Sequence, residues 1–402
     1  MLKWNSKETE IPNSISTLTH LHTFKLIGEG QEVNLNSITS LHNQIQTCII
    51  ENVRLTPNLN DKSNPIYTLT KLQHLELNGC KINKLNETIS NLTSLQTLLL
   101  SYNFELNRLP SSMTKLTSLL HLSLNSTNIQ SDTLISVVCQ LPSLQVLELD
   151  GTKQLETIPS QISQLTSLQH LSLSLSGITS LPTQIGLLTQ LHTLNLYWCT
   201  SLNKIPTELE HLTNLREFKL SGTTKINKFP LKMKNWTKLE VLQLNIINIE
   251  TISSEVWMMT KLRHLSLSDN KLSFIPSELY CLSNLTHLNL SYNQITHISN
   301  QINKLTQLQF LDLSSNRLTQ ISDDISSFIH LSELQINDNK LKQFSSQLPP
   351  NLVSLYLERN SITSISSTIL SSLTRLESLN LSENQITILP TQIGLLTSLQ
   401  HL

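Results

Sequence analysis

The sequence predicts an α/β repeat solenoid, with a parallel sheet on the concave side and short helices or 3-10 turns on the convex side. Three observations predict it: a leucine pattern that recurs every 21 to 25 residues from Leu72 onward, an asparagine column behind it, and a second apolar segment that opens on Pro or Ser. Repeats of this length bury their apolar faces only by stacking on one another. The 402 residues therefore predict many stacked turns and not two or three globular cores.

The first half of each copy is predicted to be a strand. Strings such as LQHLEL, LRHLSL and LTHLNL alternate leucine with polar residues, as a half-buried strand requires. The 17 copies open on these apolar anchors: Leu21, Ile45, Leu72, Leu95, Leu119, Leu144, Leu168, Leu191, Leu215, Leu239, Leu262, Leu285, Leu308, Leu331, Leu352, Leu376 and Leu399. The same alternation predicts that the histidines of this column, among them His264 and His287, point towards the concave side.

A ladder position follows three residues after the last leucine of each strand. Asparagine occupies it in the strongest copies, at Asn103, Asn270, Asn293, Asn316, Asn339, Asn360 and Asn384. An amide carries two donors and an acceptor, so a buried asparagine can satisfy backbone groups of its own and neighbouring turns. Weaker copies have Cys80, Thr127, Thr152, Ser176, Cys199 or Thr223 there. Hydroxyls can do part of this work, whereas Ile247 cannot and predicts a weak rung.

The second half of each copy is predicted to be a short helix or 3-10 turn. Proline opens this segment at Pro110, Pro159, Pro182, Pro206, Pro230, Pro276 and Pro390. Proline suits the first helical position, which needs no backbone donor. Copies without proline have Ser253, Ser299, Ser322 or Ser366, and a serine there predicts a helix cap.

The regularity of the copies divides the chain. Residues 1–71 are predicted to form irregular N-terminal repeats, because their connections are longer and their leucines fewer. Residues 72–402 are predicted to form the regular solenoid, truncated within its last repeat.

Composition restricts partners and compartment. The net charge of -1 gives no general attraction to nucleic acid, and no apolar stretch approaches the ~20 residues that span a bilayer. The sequence thus predicts no nucleic-acid partner and no direct membrane insertion. Five dispersed cysteines are typical of reduced thiols and predict a cytoplasmic protein.

These copies resemble leucine-rich repeats of the LxxLPxxIxxLTxLxxLxLxxN type, and the resemblance covers nearly the whole chain. The 23-residue copies are similar to those of Ras-pathway scaffolds and plant intracellular Ras-group proteins, and the longer ones to those of plant disease-resistance receptors. The resemblance implies a horseshoe fold that binds another protein on its concave face.

Motifs of known chemistry are missing from the sequence. It contains no GxSxG, HExxH or clustered CxxC, which argues against an enzyme. His264 and His287 fall on adjacent turns, yet no third ligand lies at a fixed spacing, so no metal site and no cofactor are predicted.

Aromatic and charged residues mark the predicted partner-binding face. Aromatic side chains and arginine are enriched at binding hot spots. The candidate residues, all assigned to the concave face and the aromatic ones to its exposed strand columns, are Tyr102, Tyr197, Trp198, Glu217, Lys219, His264, His287, Tyr292, Phe310, Tyr356 and Arg359. Flanking carboxylates at Glu148, Asp150, Asp312, Glu333, Asp338 and Glu358 give the face an acidic bias and indicate a basic or polar partner.

The leading hypothesis is a non-catalytic interaction scaffold that binds a protein partner, in intracellular signalling by family analogy. A second hypothesis is the recognition region of a longer receptor, kinase or ubiquitin-ligase-type enzyme, whose catalytic domain lies outside this chain. A third is a secreted or surface adhesion protein. The sequence identifies neither the partner nor the oligomeric state.

Overall fold

A computed structural model describes residues 9–226, 233–343 and 347–402 of the chain. It divides into two compact units, Met1–Leu215 and Arg216–Leu402. Each unit contains short parallel strands and short helices in regular alternation.

The strands of the first unit, except the short β2 and β4, begin two residues after each apolar anchor. They are β1 (Thr23–Ile27), β2 (Glu32–Asn34), β3 (Thr47–Glu51), β4 (Arg54–Thr56), β5 (His74–Asn78), β6 (Thr97–Leu99), β7 (His121–Ser123), β8 (Val146–Glu148), β9 (His170–Ser172) and β10 (Thr193–Asn195). One parallel sheet has the order β1-β3-β5-β6-β7-β8-β9-β10, and β2 and β4 form a separate parallel pair.

The strands of the second unit form a parallel sheet in chain order. They are β11 (Glu217–Lys219), β12 (Val241–Gln243), β13 (His264–Ser266), β14 (His287–Asn289), β15 (Phe310–Asp312), β16 (Glu333–Gln335), β17 (Ser354–Tyr356) and β18 (Ser378–Asn380). His401 adds a single bridge to Ser378, at the position that the anchor Leu399 predicts. A strand or bridge is therefore present in all 17 predicted copies.

Short helices fill the second half of most copies. The first unit has α1 (Ser131–Ser136) and the 3-10 helices Asn13–Thr17, Asn36–Leu41, Pro65–Thr68, Glu87–Asn91, Ser111–Lys115, Val138–Gln140, Ser160–Gln164, Thr183–Leu187 and Thr207–His211. The second unit has α2 (Ser367–Ser372) and the 3-10 helices Ser254–Met258, Ser277–Cys281, Asn300–Lys304, Asp323–Ser327 and Thr391–Leu395. Strands stack on strands and helices on helices, with buried leucines between the two layers. None of the helices in these described segments is long and apolar enough to cross a bilayer.

Of the two predictions about helix starts, the one for serine is confirmed and the one for proline is wrong. The serine caps are confirmed: the Ser253, Ser299, Ser322 and Ser366 hydroxyls accept from the backbone N–H two residues on. The assignment of proline to the first helical position is wrong, because six prolines occupy the cap itself in extended conformation, namely Pro110, Pro159, Pro182, Pro206, Pro276 and Pro390. Pro230 lies outside the described residues.

The asparagine ladder joins each turn to the one before it. The Asn316 Nδ2 donates to the carbonyls of Leu290, 2.9 Å away in the preceding turn, and Leu313, 3.1 Å away in its own turn. Its Oδ1 accepts from the Ile295 N–H at 3.0 Å. Equivalent bonds are made by Asn103, Asn270, Asn293, Asn339, Asn360 and Asn384. The ladder prediction is therefore confirmed.

Residues other than asparagine at the ladder position make fewer hydrogen bonds to the backbone. The Thr152 hydroxyl donates only within its own turn, to the Leu149 carbonyl at 2.6 Å. The Cys199 thiol reaches back to the Leu173 carbonyl of the preceding turn at 3.0 Å. At the weak rung, the Ile247 side chain makes no hydrogen bond. Its backbone N–H donates to the Oδ1 of Asn270, the ladder residue of the next turn, at 3.2 Å.

Four of the five cysteines are buried free thiols, and Cys281 is exposed. Burial raises the pKa of Cys48, Cys80 and Cys139 to about 12 and that of Cys199 to about 11. These four thiols are consequently protonated at neutral pH, and a protonated thiol is a poor nucleophile.

Candidate partner-binding surfaces

The open face of each sheet consists of the strand side chains that point away from the buried leucines. In each three-residue strand the central residue is buried, as Leu288 is in β14, and the outer two are wholly or partly accessible in most copies. The predicted residues Glu217, Lys219, His264, His287, Phe310 and Tyr356 all lie on this face and are partly exposed.

The remaining candidates lie elsewhere than predicted. The alternation places Tyr102, Tyr197, Trp198 and Tyr292 in exposed strand columns, and Arg359 is predicted on the same concave face. All five instead occupy the turns that follow the strands. All except Tyr197 have a positive φ, between 52° and 62°. Gly79, Gly151 and Gly222 have a positive φ at the same position in other copies, so the turn imposes this conformation. The strand ends sooner than the alternation suggests, and these side chains therefore form a rim beside the sheet.

The rim of the first unit contains an apolar groove of about 750 Å³. Its apolar walls are Phe104, Leu175 and Trp198, whose exposed fractions are 70%, 53% and 38%. Gly151, which has no side chain, also lines the groove. Trp198 also contacts Tyr197 edge to face, with ring centroids 6.1 Å apart. We name Phe104, Leu175, Tyr197 and Trp198 the apolar rim.

Sequence reasoning missed two residues of the apolar rim, Phe104 and Leu175. Each lies next to a ladder position where most copies have a small or polar residue. That departure from the repeat was the available signal. The alternation of the strand could not reveal it, because both residues lie outside the strands.

Charged groups on the open face of the first unit are engaged with one another. The His121 Nε2 lies 3.7 Å from the Glu148 Oε1. This contact with His121 is the main reason that the pKa of Glu148 falls to about 2. Asp150 accepts from the Ser172 hydroxyl and the Ser174 N–H, at 2.5 and 2.7 Å, although burial raises its pKa. These carboxylates are occupied by the protein's own donors.

Three rings stack across neighbouring strands of the second unit. The His264 and His287 ring centroids are 4.2 Å apart, and those of His287 and Phe310 are 5.9 Å apart, each pair with an interplanar angle of 22°. Burial is the main cause that lowers the pKa of both histidines, so both are neutral at pH 7. We name these three residues the ring stack.

The ring stack does not have the geometry of a metal site. The nitrogen lone pairs of imidazole lie in the ring plane, and two nearly parallel stacked rings cannot direct them at one ion. Within the described residues, no group of three or more His, Cys, Asp and Glu side chains could hold a metal ion.

Two further candidates of the second unit are held in ion pairs. The Lys219 Nζ lies 2.6 Å from the Glu217 Oε1. The Arg359 guanidinium contacts Asp338 at 3.6 Å and Glu383 at 3.1 Å, and these bonds, above all that to Glu383, raise its pKa. Both pairs are solvent-exposed enough to open for a partner at small cost.

The ring stack predicts an acid-sensitive stability. A histidine whose folded pKa is below its unfolded value resists protonation, so acid favours the unfolded chain as the pH falls below about 6.5. His264 lies beside Val241 and His287, with Arg263 next to it in the chain and Glu217 nearby. His287 lies between His264 and Phe310, and Glu333 is one strand beyond Phe310.

We expect the wild-type melting temperature to fall more steeply between pH 7.5 and pH 5 than that of a His264→Gln, His287→Gln double variant. Differential scanning fluorimetry across that range measures both slopes. A His20→Gln, His42→Gln variant of two exposed histidines is the control. Equal slopes in the wild type and the ring-stack variant would contradict the expectation.

Comparisons with known proteins agree with this architecture. A family profile described as a leucine-rich repeat region matches residues 122–256, and one described as a leucine rich repeat matches 237–295, 261–318 and 350–402. A search of curated protein sequences gave no match.

Similar solved structures include the leucine-rich-repeat protein LIC12759 of Leptospira interrogans, which is 27% identical with a TM-score of 0.70 over 93% of this chain and 89% of that one. The functional domain of InlJ from Listeria monocytogenes is 22% identical, with a TM-score of 0.69 over 84% of this chain and 68% of that one. The plant peptide hormone receptor RGFR1, solved in complex with RGF2, is 23% identical with a TM-score of 0.57, over 98% of this chain and 75% of that one.

Proposed function

The chain belongs to the leucine-rich-repeat family, and from this premise we propose that it is a non-catalytic scaffold that binds a protein partner. The partner contacts the open sheet face and the apolar rim. The observation that carries the proposal is the exposure of the apolar rim around its groove. Clustered exposed apolar side chains on a soluble protein mark sites of interaction.

The apolar rim has the features of a binding hot spot. Trp198 is partly buried against Tyr197, so its ring is held in place and loses little freedom when a partner covers it. The groove beside it can receive apolar side chains of a partner, because Phe104, Leu175 and Trp198 all line it.

A scaffold role without catalysis is supported by how the polar groups are used. The carboxylates and imidazoles that lie close together pair with each other or stack, as Glu148 does with His121 and His264 with His287. A general base needs a free proton-accepting atom that points at a substrate. We propose an intracellular location because the buried thiols are free, and a role in signalling by family analogy alone.

A second candidate function is the recognition region of a longer receptor or enzyme. The fold shared with the hormone receptor RGFR1 favours it, since that protein is a receptor. Both candidate functions require a protein partner to bind the open sheet face and the apolar rim. One experiment on these surfaces therefore tests the binding that the two candidates share.

The test compares the full chain with a Tyr197→Ala, Trp198→Ala variant in affinity purification from a lysate of the source cells. We expect the variant to recover at least one protein about tenfold less well than the wild type does, because the loss of a hot-spot residue weakens binding by about that factor. That protein is then purified and titrated against both chains by isothermal calorimetry.

Phe274→Ala provides the matched control, because Phe274 is an exposed aromatic residue outside the groove. Its recovery profile should equal that of the wild type. If a folded rim variant, judged by circular dichroism, recovers every protein as the wild type does, the apolar rim is not the binding surface.

A further inference from the structure

The open face next to the ring stack combines one aromatic ring with two carboxylates. Phe310 and Asp312 are the outer residues of β15, and Glu333 and Gln335 are those of β16. Parallel pairing places Phe310 beside Glu333 and Asp312 beside Gln335. Adjacent strands are about 4.8 Å apart, so these four side chains form one small patch. We name it the β15–β16 patch.

Only one face of the Phe310 ring is covered by the ring stack. His287 lies on β14 and stacks on one side of Phe310, with ring centroids 5.9 Å apart. The opposite ring face is directed towards β16, where a flexible glutamate, Glu333, and not another ring, takes the next position. A planar cationic group could continue the stack there, since cations bind aromatic faces.

Among the residues that the structure describes, the two carboxylates of the patch have polar neighbours but no Lys or Arg in contact. Asp312 accepts through Oδ1 from the Ser314 N–H at 2.9 Å and the Ser314 hydroxyl at 2.6 Å. Glu333 accepts through Oε1 from the Gln335 side chain at 2.6 Å. Within the described residues, neither carboxylate has a Lys or Arg within ion-pair distance. Glu333 is partly exposed and Asp312 is only 7% exposed, so the two negative charges lie at the open face and just beneath it, without a cation among the described residues.

A third carboxylate, that of Glu358, follows the neighbouring strand β17 and also has an oxygen that is unpaired among the described residues. Its Oε2 is shielded from solvent and has no hydrogen-bond partner in the described part of the chain. A shielded carboxylate oxygen without a partner is costly, and a donor from a bound molecule would remove that cost. Three carboxylates, on or beside three successive strands, thus have no Lys or Arg partner in the described segments.

We propose that the β15–β16 patch binds an arginine side chain of a basic protein segment. The guanidinium stacks on the free face of Phe310 and donates to the partly exposed carboxylate of Glu333, and the negative charge of the buried Asp312 beneath it adds to the attraction. Arginine fits better than lysine, because its planar fork can stack and donate to a carboxylate through two nitrogens at once. An acidic partner segment would be repelled. This inference rests on the proposed function, since it names the chemistry of the partner on one part of the open face.

The experiment titrates the full chain with a fluorescein-labelled peptide in which arginine alternates with glycine. Two matched peptides carry lysine or uncharged citrulline in place of arginine, and fluorescence anisotropy at low ionic strength measures each affinity. For the wild type we expect the arginine peptide to bind about tenfold more tightly than the citrulline peptide, and measurably more tightly than the lysine peptide.

Two variants separate charge from stacking. Asp312→Asn, Glu333→Gln should weaken binding of the arginine peptide about tenfold. Asparagine is tolerated at this strand position, because Asn289 makes the same two bonds to Ser291 that Asp312 makes to Ser314. Phe310→Leu should remove the preference for arginine over lysine, because leucine offers no ring face to the guanidinium.

Glu250→Gln, Glu278→Gln is the control for net charge, because both residues are exposed and lie outside the patch. It should leave the affinity for the arginine peptide unchanged. Equal affinities of the wild type and the Asp312, Glu333 variant, or an equal loss in the control, would overturn the inference. Neither result touches the binding that depends on Trp198, so the proposed function is tested separately.

Discussion

Replacing Asn316 with alanine is expected to lower the free energy of unfolding by about 3–4 kcal/mol. The side chain is buried and bonds the carbonyls of Leu290 and Leu313 and the N–H of Ile295. Alanine leaves those buried groups without partners, and each costs about 1–3 kcal/mol when no water replaces the lost bond. Urea denaturation followed by circular dichroism measures the change.

Two variants calibrate this loss. Asn384 makes the same bonds but is only half-buried, so water can replace them, and Asn384→Ala should cost less than half as much. Thr152→Val removes one bond within a single turn, to the Leu149 carbonyl, and should cost about 1 kcal/mol. If Asn316→Ala costs no more than Thr152→Val, the ladder does not stabilise the stacking of turns.

Gly186→Ala is expected to destabilise the first unit by about 2–3 kcal/mol. Gly186 is buried in the 3-10 helix Thr183–Leu187, which stacks on the next one, Thr207–His211. A Cβ at this position would lie 2.3 Å from the backbone oxygen of Glu208. A backbone atom cannot turn aside as a side chain can, so the two helices must move apart and their leucines lose contact.

The chain contains its own control for this variant. Gly394 lies in an identical seven-residue segment, TQIGLLT, and in an equivalent 3-10 helix, Thr391–Leu395. Nothing lies within 4 Å of a Cβ built there, so Gly394→Ala should be neutral or stabilising by about 0.5 kcal/mol. Thermal and urea denaturation of both variants measure the difference. Similar losses in the two variants would show that helix propensity, and not the close contact with Glu208, controls this position.

The sequence by itself determined the repeat, the register and the rungs. The strand beginning at His287 could be predicted because Leu285, Leu288 and Leu290 have to point into one core, and a shift by one residue would expose them. Asn316 could be predicted because a single side chain with fixed bonding capacity serves backbone groups at fixed spacings. The serine caps follow from equally local chemistry, within two residues of Ser322.

Only the tertiary structure decided which exposed residues lie together. The alternation of the strand assigned Trp198 to a strand column, whereas the strand ends at Asn195 and a turn with positive φ carries Trp198 to the rim. The groove also needs Phe104 and Leu175, which come from other turns of the solenoid.

The contacts of the ring stack also depend on the tertiary structure. So does the close contact at Gly186, because Gly394 lies in the same local sequence and a Cβ built there has no atom within 4 Å. A repeat pattern describes one turn at a time, and it fixes what each turn buries. Contacts between side chains of successive turns depend on residues more than 20 positions apart that no local periodicity constrains. The stacking of the turns therefore creates the surfaces that a partner would meet.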